Sequence, residues 1–268
     1  MNGFNMVVLC FSLLLISCAN DHNSSGKTSA TDKASLNNEL DSMAKVEAEK
    51  MLEPLEFVRL SNDNVEEYLT EFAKSDPRDK VLITTPFGDI KVKLYKNTPL
   101  HRASFLHLIE ERYFKYVELT RVHKTHVIQG GNSQEEAKAT ERFLLGNYTI
   151  PNELSAGYIH KKGALAMARV TENNPEKRSS PYDFYIVHGR KSSGPELFNV
   201  QKTNGVKYSD SQKSLYKTLG GIPPLDGEYT VFGEVTSGMD VLEEIVNVPI
   251  DSKYWPKDDI LISMEIID

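Results

Sequence analysis

The spacing of apolar residues changes character several times along the chain. From Met6 to Ile16 nearly every position is apolar. The run is too short for a membrane span, which needs ~20 residues, and matches the core of an export signal. Residues 19–38 are the opposite, ANDHNSSGKTSATDKASLNN, with no aromatic and almost no aliphatic side chain. Such a stretch buries too little surface to repay the entropy of ordering, and it reads as a flexible tether. Leu40, Met43, Ala44, Met51 and Leu52 then fall at roughly helical spacing, broken midway by Glu47 and limited by Pro54. In a clearer second helix, Val65, Tyr68, Leu69 and Phe72 share one face. Asp63 with Glu66 three positions on has the form of a capping box, and Asp76-Pro77 closes the segment.

From Val81 the period becomes two. The run 81–85 is followed by the turn residues Pro86-Phe87-Gly88-Asp89 and by the alternating IKVKLY of 90–95, a hairpin with one buried face. Thr98-Pro99 starts a helix that carries Ala103, Leu106, His107 and Glu110 on one side, and Tyr113-Phe114 returns to β structure. A polar loop follows Asn132. Strands are expected over 163–168, 184–187, 229–235 and 260–266, and a last helix near 239–246 is expected to be capped by Ser237 with Asp240. Residues 188–222 are a long insertion rich in Gly, Ser and Lys, with a short helix near 211–219. Many strands and two well-separated helices suggest a mainly β fold, a closed barrel with a helix over each end.

Composition sharpens this picture. The chain has 268 residues, with 40% hydrophobic and 26% charged, as in ordinary globular proteins. Its net charge of −7 argues against a general nucleic-acid binder, which needs a basic face. Both cysteines, Cys10 and Cys18, precede the folded part, which therefore has no disulfide and no thiolate metal site. Leu15-Ile16-Ser17-Cys18 resembles the lipobox of bacterial lipoproteins, although the first six residues carry no Lys or Arg. That resemblance implies lipidation at Cys18 and a chain anchored on a membrane surface in the bacterial envelope, facing the periplasm. The organisation is then a signal peptide over 1–17, a tether over 18–39, a helical extension over 40–78 and a main domain over 79–268.

The stretch with most chemistry is TRVHKTHVIQGGN, residues 120–132. Arg121 offers a planar five-donor fork, Gln129 an amide that donates and accepts, and Gly130-Gly131 a backbone open to close approach. None of these is a good nucleophile, so a site here polarises and holds its substrate. His123 and His126 are three apart in a turn or strand, where side chains tend to diverge, and no carboxylate or thiol stands nearby in sequence. No metal and no cofactor are expected. No G-x-S-x-G elbow points to a hydrolase.

In this order and spacing the blocks TTPFGDIKVKLY, NTPLHRASFLHLIEERYF, TRVHKTHVIQGGN, GALAMAR, SSPYDFYIV and LDGEYTVFGEVTSGMDVLEEI resemble the cyclophilin-type peptidyl-prolyl isomerases. The resemblance runs from about Val81 to Asp268. It implies an eight-stranded antiparallel barrel capped by two helices, and proline-containing polypeptides as clients. It places Arg121 as the catalytic arginine and Gln129 as the glutamine that helps hold the substrate backbone. Val127, Tyr185 and Leu225 fall at proline-pocket positions, and Tyr229 falls where many members carry histidine. Ala168 and Arg169 match the wall along the substrate backbone. There are departures as well. His126 replaces a pocket phenylalanine, Asp183 a glutamine, Pro181-Tyr182 a Gly-Ser pair and Pro224 a tryptophan, while His123-Lys124-Thr125 replaces a tighter turn. The leading expectation is an isomerase that assists folding of exported proteins. The alternative is a catalytically weak domain that binds proline-containing segments as a chaperone or scaffold.

Overall fold

The computed structural model describes residues 58–133, 135–154 and 157–268. The signal peptide, Cys18, the tether and the expected helix over 40–52 lie outside these residues. Val58–Asp268 form one compact unit.

The unit begins with a short strand, β1 (Leu60–Ser61), and helix α1 (Val65–Ser75). The hairpin expected from the alternation is β2 (Lys80–Thr85) and β3 (Gly88–Leu94), paired antiparallel with Val81 opposite Val92 and Ile83 opposite Ile90. Helix α2 (Pro99–Glu110) leads to β4 (Lys115–Val122) and β5 (Val127–Gly130). Then come α3 (Glu136–Leu145), β6 (Gly146–Asn147), β7 (Ala164–Met167) and β8 (Phe184–Val187). The insertion holds α4 (Gly194–Asn204) and α5 (Asp210–Thr218), and the chain ends with β9 (Val231–Ser237), α6 (Met239–Ile245) and β10 (Leu261–Ile267).

Eight strands close into a barrel in the order β10-β2-β3-β9-β7-β8-β5-β4, and every pairing in it is antiparallel. Side chains alternate across a strand, so each barrel strand sends one set inward. Ile83, Val92, Ile128, Leu165, Ile186 and Phe232 belong to the buried interior cluster. Helix α2 closes onto it through Phe105, which packs on Phe114, Phe184 and Phe232 with centroids 5.1, 5.9 and 5.2 Å away. Helix α6 adds Leu242 and Ile245.

Helix α2 is buried almost all round, from His101 to Ile109, because α1 packs on the side turned away from the barrel. The Tyr68 and Phe72 rings of α1 meet His107 edge-on at 5.2 and 6.0 Å. The Arg102 guanidinium donates to the carbonyls of Ala73, Asp76 and Arg78, closing the C-terminal end of α1 from outside it.

Several local expectations are corrected. Asn64, not Asp63, precedes α1, and its Oδ1 accepts from Ser61 N (2.8 Å), so the Asp63–Glu66 box does not form. Pro99 does open α2, but the Thr98 hydroxyl donates to Tyr95 O. The first amides of α2 are taken instead by Glu153, which accepts from Leu100 N and His101 N at 2.9 Å each. No side chain caps α6, which follows Gly238 at φ +90°. A Cβ there would stand 2.4 Å from Asp89 O, so only glycine fits. The polar loop after Asn132 contains α3, and the insertion holds two helices rather than one.

Candidate functional site

Arg121 sits on β4 directly opposite Gln129 of β5, and Gln129 lies opposite Tyr185 of β8. Tyr185 pairs with Ala166 of β7, and Ala166 with Val231 of β9. Residues paired across strands point to the same face, so Arg121, Gln129, Tyr185, Ala166 and Val231 form one row across the outside of the barrel. The row depends on a register shift between Leu119 and Arg121, which sets Arg121 opposite Gln129. Val127, two residues before Gln129, faces the same way and joins Tyr185, Ile222 and Val231 in an apolar cluster. Ala168, Leu225 and Tyr229 pack against that cluster, half-buried.

Beside the cluster lies an open hollow of about 360 Å³, lined by Arg121, His126, Ile222, Leu225 and Tyr254 among others. Arg121 has no ion-pair partner among the described residues, and its Nε is buried without a hydrogen bond. Its guanidinium stands 5.8 Å from the centroid of Tyr254. The Arg121 side chain therefore borders the hollow without a hydrogen-bond or ion-pair partner among the described residues. Burial pushes the His126 imidazole below its ordinary pKa, helped by the charge of Arg121, so His126 is a neutral wall at pH 7. Its carbonyl accepts from His188 N and Gly189 N at 2.9 and 2.8 Å, which ties the turn to the start of the insertion.

Gln129 does not line the hollow. Its amide donates to Asp183 Oδ1 at 2.9 Å. Burial raises the Asp183 carboxyl to about 6 in spite of that bond. Arg169 is likewise fastened, donating to Glu228 O and Oε2 at 2.8 and 2.9 Å, with its guanidinium 4.8 Å from the Tyr229 centroid. Ala168 N–H and C=O are engaged by Asp183 O and Ser180 N, at 2.7 and 2.8 Å. The residues gathered at the hollow are therefore Arg121, His126 and Leu225. Val127, Ala168, Tyr185 and Tyr229 form the adjoining apolar wall, and Gln129 and Arg169 brace it.

Behind the wall is a buried polar network that the sequence did not announce. His160 Nδ1 donates to Asp226 Oδ1 (2.7 Å), as does His160 N (2.8 Å). With Nδ1 carrying the proton, the neutral ring accepts at Nε2 from the Tyr185 hydroxyl, 3.0 Å away. Asp226 Oδ2 accepts from Tyr208 (2.7 Å) and from Tyr216. Tyr208 and Tyr216 come from the insertion, so the insertion fixes Asp226, and through His160 the pocket residue Tyr185. Asn204, at the end of α4, also donates to the carbonyls of Pro224 and Asp226, at 3.0 and 2.9 Å, which holds Leu225 in place. Tyr254, contributed by a C-terminal turn at φ +68°, was also missed, since an isolated tyrosine in a polar segment carries no sequence signal.

The family model "Cyclophilin type peptidyl-prolyl cis-trans isomerase/CLD" matches residues 80–266. The chain belongs to this family of isomerases. A peptidyl-prolyl cis-trans isomerase of Acinetobacter baylyi is 30% identical over 174 residues, 63% of this chain and 72% of the relative. A putative peptidyl-prolyl cis-trans isomerase of Staphylococcus aureus is 29% identical over 68% of this chain and 88% of its own length. A solved cyclophilin-type isomerase of Cryptosporidium parvum shares the fold, with a TM-score of 0.50 at 23% identity over 71% of this chain and 98% of that one.

Proposed function

We propose that the hollow beside Arg121 is where this isomerase turns Xaa-Pro bonds in exported proteins, at the bacterial cell envelope. The observation that carries the reading is the unpartnered guanidinium of Arg121 next to the apolar wall of Val127, Tyr185, Leu225 and Tyr229. An Xaa-Pro bond prefers trans by only about 0.5–1 kcal/mol, yet resonance imposes a barrier of ~18–20 kcal/mol. Twisting the bond breaks that resonance and leaves the prolyl nitrogen pyramidal and able to accept a hydrogen bond. Arg121 remains protonated at any relevant pH and supplies the donor. The contact accelerates rotation because it is stronger in the twisted state than in either planar one. Each 1.36 kcal/mol of that difference is worth roughly tenfold. The apolar wall holds the ring while the preceding carbonyl swings, and His126, being neutral, adds no competing charge. Arg169 main-chain groups, which have no hydrogen-bond partner among the described residues, are open to the client backbone.

The Leu15-Ile16-Ser17-Cys18 motif and the polar residues after it support a lipid anchor at Cys18 with the isomerase on a tether. Exchange spectroscopy on a short Ala-Pro peptide tests the catalytic reading. The wild type accelerates exchange, and Arg121→Ala removes about a hundredfold or more, as loss of a transition-state donor does. Equal acceleration by both proteins would defeat the assignment. Incorporation of a fatty-acid analogue that persists in Cys18→Ser would defeat the anchor.

A further inference from the structure

The insertion also encloses a second space. A cavity of about 310 Å³ lies between the segment before His160 and the α4–α5 connection, lined by Leu154, Tyr158, Val206, Tyr208, Tyr229 and Val231. Tyr229 and Val231 also belong to the apolar wall of the prolyl site, so the two spaces share that wall. One side is made by the run Gly205–Tyr208, which exists only because the insertion does. Gly205 ends α4 at φ +70°, and a Cβ there would meet nothing within 4 Å, which leaves the side open.

We propose that this cavity is a second client subsite, which accepts an aromatic side chain lying close in sequence to the bound proline. The proposal rests on the prolyl reading of the hollow beside Arg121. The lining fixes the ligand class. Leu154, Ile159, Val206 and Val231 are aliphatic, and Tyr158, Tyr208 and Tyr229 present rings, which favour another ring in edge or offset contact, while the cation of the lining, Lys207, is on an exposed residue at the rim and can lie over such a ring. Asp226 is the carboxylate in the lining, and its two oxygens already accept from His160, Tyr208 and Tyr216. It therefore asks for no polar partner from a ligand. The volume is at the bottom of the ~300–1,000 Å³ range of small-ligand pockets, the scale of one large side chain rather than a cofactor. The shared wall supplies the continuity. A chain whose proline rests against Tyr229 from one side has its neighbouring residues within reach of the other. The insertion thus adds sequence selectivity to a site whose chemistry needs only the proline.

The test uses the full chain and an all-Ala peptide around a single proline, with Phe placed in turn at each other position. Affinity is read by calorimetry, and turnover by exchange on the Ala-Pro peptide. In one register Phe tightens binding about tenfold over the all-Ala peptide. Val206→Trp, which fills the cavity from the insertion, abolishes that gain and leaves all-Ala affinity and exchange unchanged. Leu154→Trp, from the opposite wall, does the same and serves if Val206→Trp fails to fold. The subsite is refuted if no register differs from all-Ala by more than about twofold, or if the gain survives filling. A Phe gain without Ala-Pro exchange would sink the isomerase reading and keep the subsite, and exchange without a Phe gain would do the reverse.

Discussion

Replacing Asp226 with Asn probes the buried network directly. The carboxylate accepts from four donors: His160 N, His160 Nδ1, Tyr208 and Tyr216. All of this is out of water, with His160 at 1% exposure, Asp226 at 3% and Tyr216 at 0%. Asn keeps one accepting oxygen, enough for His160, and turns an amino group toward the two tyrosine hydroxyls. Each hydrogen bond to a buried charge is worth ~1.5–3 kcal/mol, so losing the two tyrosine bonds costs about 3–6 kcal/mol. The exposed pair Lys74–Glu71, by contrast, is worth at most ~1 kcal/mol. Urea unfolding followed by fluorescence should show the midpoint of Asp226→Asn on the order of 1–2 M lower at unchanged slope. Tyr216→Phe alone should cost ~1.5–3 kcal/mol, and almost nothing further in the Asn background, since both changes remove the same bond. A loss below ~1 kcal/mol for Asp226→Asn, or full additivity with Tyr216→Phe, would refute the account of a shared charge-assisted cluster.

Two groups give opposite slopes of stability against pH. Asp183 has its folded pKa raised from 3.8 to about 6 by burial, so its contribution is complete below about 4 and is lost as pH rises through 6; Asp183→Asn should recover about 3 kcal/mol at pH 7. His107 has its folded pKa lowered from 6.5 to about 4 by burial between α1 and α2, so its contribution is present above 6.5 and lost as pH falls toward 4. His107→Gln should remove a loss of about 3 kcal/mol over that window, with denaturant titrations at several pH values as the measure for both. Protonating His126 would set a cation beside Arg121, so kcat/KM should fall in acid, below the ordinary histidine pKa, and His126→Phe should abolish that fall. Gly131 has φ +104°, and a Cβ there would lie 2.5 Å from Tyr182 O, so Gly131→Ala should lower stability by about 2–3 kcal/mol in a thermal melt.

What could be read from the chain follows from which residues do the packing. The barrel strands were legible because period two survives in IKVKLY and in the closing strand, while β7 and β8, buried on both faces, stand out as short continuous apolar runs. Helix α3 was not, because polar side chains anchor it. Lys138 is buried and donates to Tyr113 O at 2.8 Å, and Arg142 donates to Ser133 O at 2.9 Å, which leaves no apolar stripe to find. In the insertion, α5 lies where a short helix was expected near 211–219, and the structure adds a Ser209–Gln212 capping box at its start. For α4 the signal was present but unread, in Ser193, whose side chain accepts from Glu196 N just ahead of the leading turn. At the site, Arg121 and Gln129 stood out by residue type within an ordered set of motifs. Their alignment required a register shift that no spacing reveals. The pairing of His160 with Asp226, 66 residues apart, required the folded chain. The turning of Gln129 toward Asp183 is a matter of side-chain partners that sequence distance hides.

The closed barrel has a consequence for the company this protein keeps. In the eight-stranded ring every strand has a neighbour on both sides, so none offers an open ladder of amides and carbonyls at a sheet edge. An unfolded client, whose own extended segments seek such a ladder, cannot lengthen the ring by adding a strand. Among the described residues the open strand edges are those of the two-residue pair β1–β6, so the barrel itself can meet a client only through side-chain pockets and single main-chain contacts. If its clients are unfolded exported chains, as proposed, the closed ring keeps the barrel from templating their aggregation.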